Sequence, residues 1–214
     1  AVTVTEVPDA SVPAPVPETN PEPSPSTGWS PYPGASTVAD LLALDRPIVI
    51  AHAGGDFEAP HSTMYAYERA VAAGADVLEL DVRLTADGVL VVHHDDTLER
   101  TTPASGRLDE WVFEDLAALD NAHWFVEGTW SDQSRPAAEY TLRGVRTGER
   151  PPPDGSDADD FRIVTFREIA TAFPDHVLDV EIKVPRSASG EPDIAAGIAI
   201  GDALAGEIAE LGRT

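Results

Sequence analysis

The sequence predicts an α/β fold built on a parallel sheet. Two short apolar runs, Pro47-Ile48-Val49-Ile50-Ala51-His52 and Val77-Leu78-Glu79-Leu80-Asp81-Val82-Arg83-Leu84, flank a helical stretch, and strand, helix, strand in that order is the repeating unit of such a sheet. The same rhythm returns between residues 165 and 184.

Residues 1–36 hold nine of the nineteen prolines, four acidic residues and no basic one, so they read as a disordered, polyproline-prone acidic stalk. The remaining residues, 37–214, form the folded part. It opens with a short capped helix over Ser36–Leu42 and a first strand, 47–52, apolar enough to be buried on both faces. After a Gly54-Gly55 turn, Ser62-Thr63 caps a helix that carries Met64, Tyr67, Ala70 and Val71 on one face and stops at Gly74. The second strand, 77–84, leads through Ala86-Asp87-Gly88 into a third extended run, Val89–His94. An excursion from the sheet, about 97–160, includes Trp111, Phe113, Trp124, Phe125 and Trp130. A helix over 165–173 ended by Pro174, a strand over 177–184 and an alanine-rich helix from about Asp193 to Leu211, stopped by Gly212, complete the chain.

Composition removes whole classes of function. With no cysteine there is no disulfide scaffold, no zinc-thiolate site and no cysteine nucleophile, so any metal is held by oxygen or imidazole. A net charge of -24 repels nucleic acid. No run approaches the roughly 18 apolar residues of a spanning helix, so no membrane span is expected. The only methionine is Met64, and a removed export signal with an extracellular or cell-surface destination is the expectation drawn from it.

The candidate chemistry lies on the strands. Residues two apart share a face, so Glu79 and Asp81 project together, and Glu181 and Lys183 do likewise. A single carboxylate in a strand reads as a solvated end or an arginine partner. Three in apolar strands repel one another and are costly to bury, and a divalent cation, Mg²⁺ or Ca²⁺, resolves the conflict. Lys183 is the only lysine beside thirteen arginines. His52 is in phase with Ile48 and Ile50, and His94 with Leu90 and Val92. Both are therefore expected at one rim of a parallel sheet, toward the acidic face, as an acid and a base on opposite sides of a reacting centre. His93 has the other parity and reads as structural, as do His123 and His176.

Taken in order, Ile50-Ala51-His52-Ala53-Gly54-Gly55, Glu79-Leu80-Asp81-Val82-Arg83-Leu84-Thr85, His94-Asp95-Asp96-Thr97-Leu98 and Glu181-Ile182-Lys183 resemble the signature of glycerophosphodiester phosphodiesterases, from about Pro47 to Pro185. The resemblance implies a (β/α)₈ barrel of the TIM type with its site at the C-terminal rim of the strands. It implies that Glu79, Asp81 and Glu181 hold the metal, that Lys183 neutralises a phosphate oxygen and that His52 and His94 are the acid/base pair. The implied reaction is hydrolysis of a glycerophosphodiester to glycerol 3-phosphate and an alcohol. Only about the first three β/α repeats are present, so the remaining half of the barrel is expected from a longer chain or a second fragment. The family usually has arginine after the first histidine and Glu-Asn-Thr in the next loop, where this chain has Ala53 and His61-Ser62-Thr63. Two other readings remain open: a sphingomyelinase D-like phospholipase, and a degenerate surface binding module.

Overall fold

The computed structural model describes residues 35–187 and 189–213, so the stalk, apart from Ala35 and Ser36, lies outside the described residues. A four-stranded sheet is built around β2 (Val77–Leu84). β4 (Val177–Ile182) runs parallel to β2 in continuous register from Val77↔Val177 to Val82↔Ile182. The other edge of β2 is shared by two shorter strands. β1 (Ile50–Ala51) pairs parallel with Val77 and Leu78, and β3 (Leu90–Val92) pairs antiparallel with residues 82–84.

Two sequence expectations are corrected here. The connection from β2 to β3 is a tight turn in which Gly88 takes φ +80° and donates to Thr85 O at 3.0 Å; so few residues cannot cross over, and β3 returns antiparallel as a hairpin. The sheet is therefore not uniformly parallel. The first strand is also shorter than 47–52 and not buried on both faces: Ile48, Val49 and Ile50 are 40%, 51% and 52% exposed, because among the described residues β1 pairs only with β2.

Three helices pack on one face of the sheet. α2 (Met64–Ala72) contributes Tyr67 and Ala70, α4 (Phe166–Ala172) contributes Phe166, Ile169 and Ala170, and α5 (Ile194–Leu211) contributes Ile200 and Leu204. They pack on Leu78, Leu80, Val82, Leu90 and Val92. Each fully buried leucine in that layer is worth about 1.5–3 kcal/mol against exposure. The helices start where the sequence supplies caps: Thr37 caps α1 (Val38–Leu42), Thr63 caps α2, Thr165 forms a capping box with Glu168, and Asp193 caps α5. Alternation then leaves Glu79, Asp81 and Arg83 on the face of β2 opposite α2, α4 and α5, with Glu181 beside Asp81; at the start of that face Leu41 of α1 packs on Val77.

Between β3 and α4 the chain holds one α-helix, α3 (Phe113–Ala117), and three short 3₁₀ turns. Leu98, Leu108, Leu116 and Ile163 close over Val91, while Ala122, Val145 and Phe161 form a second small cluster. Side-chain anchors tie the segment together. The Trp124 indole N–H donates to Thr102 O at 2.9 Å, and the Arg143 guanidinium lies over the Trp124 and Tyr140 rings at 4.5 and 3.8 Å.

Candidate active site

The parallel register of β2 and β4 brings three carboxylates together: Glu79, Asp81 and Glu181 each offer an oxygen within 4.8 Å of the other two. Oxygens that share one Ca²⁺ at about 2.6 Å stand no more than roughly 5.2 Å apart, so the trio fits a hard divalent cation. Asp81 is wholly buried, and apart from the Lys183 ammonium no donor among the described residues serves its oxygens. An ionised carboxylate in that position calls for positive charge. Lys183 follows β4, its N–H bonded to Val82 O at 3.2 Å. Its ammonium lies 3.0 Å from Asp81 Oδ1 and 2.7 Å from Glu181 Oε1. Burial disfavours that charge, but Glu181 and Asp81 outweigh it and raise the lysine above its ordinary range. Glu79 moves upward as well: burial, with Asp81 adding to it, exceeds the stabilisation from the Ala53 N–H, which donates to Glu79 Oε2 at 2.6 Å.

That N–H is aimed by an unusual turn. Ala53 sits at φ 47° and Gly54 at φ +84°, and a Cβ on Gly54 would stand 2.9 Å from Ala66 Cβ, so α2 can approach the turn only because the position is glycine. Ser62, at φ 59°, closes the next loop by donating its N–H to Ala53 O at 2.9 Å. Ala53, where an arginine is usual in the resemblance, contributes only its backbone N–H to the site. His61 does not replace the missing cation. It is buried, and desolvation together with the nearby Arg100 charge holds it well below the usual imidazole range, hence neutral.

His52 begins the turn after β1, with Nδ1 3.2 Å from the buried Asp56 carboxylate. His94 arrives differently from the expectation. Leu90 and Val92 pair with Leu84 and Val82 on the helix-covered face, so alternation from them leads away from the acidic side. β3 ends at Val92, and the chain then turns over the sheet. Arg83 fixes that turn by donating to His94 O at 3.0 and 2.7 Å. In this way His94 comes to line a cleft of about 470 Å³ with Arg83, Glu181 and Lys183. His93 is buried, with Nε2 3.2 Å from Thr97 O, and burial pushes it down to about 4.

The structure adds residues that sequence reasoning passed over. Asp56, four residues after His52, and Asp95, next to His94, each face an Nδ1, at 3.2 and 2.6 Å. A carboxylate close behind a histidine in sequence was the available signal. Trp130 gave none beyond its aromatic character, yet its ring lies 6.3 Å from His52, 6.4 Å from His61 and 5.8 Å from His94.

The protein is thus an open, mostly parallel α/β sheet whose face opposite α2, α4 and α5 carries a carboxylate trio suited to a cation, with Lys183 at its edge and two carboxylate-backed histidines in the adjoining loops. A sequence profile of the glycerophosphoryl diester phosphodiesterase family matches residues 52–196, and the chain belongs to that family. It is 34% identical over 167 residues to glycerophosphodiester phosphodiesterase 1 of Rattus norvegicus, covering 78% of this chain and 41% of the relative. To the glycerophosphodiester phosphodiesterase of Bacillus subtilis it is 36% identical over 102 residues, 48% of this chain and 34% of the relative. The chain thus spans less than half the length of these curated relatives. Among solved structures, the glycerophosphoryl diester phosphodiesterase domain of a Mycobacterium tuberculosis protein superposes with a TM-score of 0.57 at 21% identity, over 78% of this chain and 50% of that one. A phosphodiesterase from Oleispira antarctica, solved with the product sn-glycerol-3-phosphate, gives 0.53 at 25% identity, over 76% and 51%. The α/β fold therefore matches barrel structures over part of their chain.

Proposed function

We propose that the protein hydrolyses glycerophosphodiesters to glycerol 3-phosphate and an alcohol, using a divalent cation held by Glu79, Asp81 and Glu181. The observation that carries this reading is the convergence of those three carboxylates within 4.8 Å beside Lys183, in a chain of this family. The cation, when bound, supplies Lewis-acid stabilisation of the charge that develops on the phosphoryl oxygens. Lys183, held protonated by Asp81 and Glu181 beside it, adds a second positive charge for those oxygens.

His52 and His94 divide the proton transfers. With Nδ1 engaged by Asp56 or Asp95, each has Nε2 left for the substrate. One removes the proton of the glycerol 2-hydroxyl, whose oxygen bonds to phosphorus as the bond to the departing alcohol breaks. The other gives that alcohol its proton. Water then opens the cyclic phosphate with the two roles exchanged. In the full-length protein, His52→Ala and His94→Ala should each lower turnover of glycerophosphocholine by about 10²–10⁴. Turnover by either variant at the parent rate refutes the pair. Hydrolysis of lysolipid or sphingomyelin in preference to glycerophosphocholine would move the protein to the phospholipase reading, and no turnover of any of them to the binding-module reading.

A further inference from the structure

Residues 93–98 lie beyond β3, and Arg83 of β2 holds His94 by its backbone oxygen, which leaves the His94 ring and the Asp95 carboxylate to be oriented by other contacts. What fixes them is a line of contacts running out to the excursion. His94 Nδ1 is 2.6 Å from Asp95 Oδ1. Arg100 grips both oxygens of the same carboxylate, through Nη2 at 2.9 Å to Oδ1 and through Nε to Oδ2. The third guanidinium nitrogen, Nη1, is buried and has no hydrogen-bond partner among the described residues. The guanidinium is therefore held by Asp95 on one edge and, across its face, by the Trp130 ring, whose centroid is 4.6 Å away. Trp130 is 40% exposed, and its loop is pinned where the Gly128 N–H donates to Phe57 O at 2.7 Å. Phe57 belongs to the loop that follows His52. The brace thus reaches from the loop of one histidine to the loop of the other.

We propose that Arg100, stacked on Trp130, is a positioning residue that acts through Asp95 to hold His94 in the tautomer with the proton on Nδ1. This keeps Nε2 as the working nitrogen and makes the excursion part of the catalytic apparatus; it rests on the role assigned to His94 above. The contact between neighbours in sequence needs this help, because an aspartate beside a histidine in a loop has other rotamers to adopt. A bidentate guanidinium removes them, and the indole removes the freedom of the guanidinium.

The test uses the full-length protein labelled with ¹⁵N-histidine, whose long-range proton–nitrogen spectrum reads the tautomer of each imidazole, with His94 assigned from His94→Gln. The parent should show His94 protonated on Nδ1 alone. Arg100→Ala and Trp130→Ala should show mixed tautomers, and Trp130→Phe, which keeps an aromatic face, should look like the parent. In glycerophosphocholine turnover, Trp130→Ala should lose roughly tenfold in kcat with KM held within about twofold, and Trp130→Phe should recover most of the loss. An unchanged His94 tautomer in Trp130→Ala overturns the proposal, and so does a raised KM with kcat preserved, which would make Trp130 a substrate contact. Should Arg100→Ala fail to fold, the Trp130 pair decides alone. A parent protein with the expected tautomer but no diesterase activity would sink the proposed function and leave the brace standing.

Discussion

His93 is a built-in acid sensitivity, and its size follows from its surroundings. The ring is buried, its Nε2 lies 3.2 Å from Thr97 O, and its Nδ1 has no partner among the described residues. A second proton would have to sit on that bare nitrogen without water or acceptor, and burial accordingly lowers the pKa from 6.5 to about 4. The unfolded chain takes up the proton near pH 6.5 and the folded chain only near pH 4, so between those values the unfolded state binds more protons. The stability contributed by the neutral ring is whole above pH 6.5 and declines as the pH falls toward 4. From pH 7.5 to pH 5 the loss attributable to this one group is about 2 kcal/mol. His93→Gln keeps a donor for Thr97 O and cannot titrate. Urea unfolding of parent and variant at both pH values isolates the effect, because His61, His123 and His176, whose pKa values are also lowered, are common to both proteins. The parent should lose about 2 kcal/mol more than the variant over this interval. Parallel losses would refute the buried, neutral state of His93.

Two further pairs of substitutions examine the site from other directions. Gly54→Ala meets both a left-handed backbone and a 2.9 Å contact with Ala66 Cβ, whereas Gly55→Ala meets a similar φ with nothing within 4 Å. The first should cost roughly 1–3 kcal/mol more than the second in thermal or urea unfolding. Equal costs would mean that α2 gives way and that its approach to the turn is not fixed. Lys183→Arg keeps the charge but places a planar fork between Asp81 and Glu181, where the ammonium sits at 3.0 and 2.7 Å. Steady-state turnover should fall roughly tenfold, and further in Lys183→Ala, mainly in kcat. Parent-like turnover in both variants would remove Lys183 from the chemistry.

Much of the fold was legible because local signals were strong. The Thr37, Thr63, Thr165 and Asp193 caps and the glycine stop at Gly212 set helix ends to within a residue or two. Alternation along Val77–Leu84 separated the leucines from Glu79 and Asp81 correctly, since every residue of that strand is paired on at least one edge and its pleat is regular throughout. Alternation failed for His94 because β3 is three residues long and the histidine lies past its end, positioned by Arg83 rather than by the pleat. β1 looked like an interior strand because Ile48, Val49 and Ile50 are apolar; sequence pattern reports what a residue prefers, and their exposure depends on what pairs with the outer edge. Trp130 could not be read at all, since its proximity to both histidines is set by tertiary packing of an irregular segment.

If β2 and β4 build a cation site, calorimetric titration of the metal-free, full-length protein with Ca²⁺ and with Mg²⁺ detects it without any substrate. Binding of one divalent cation per chain is predicted, lost in Asp81→Asn, which keeps the shape of the side chain but removes the buried charge. It should survive in Asp179→Asn, which changes an exposed acidic residue on the same strand as Glu181 but outside the trio. Binding that persists in Asp81→Asn, or that is absent from the parent for both ions, would mean that the β2 and β4 carboxylates do not hold a metal.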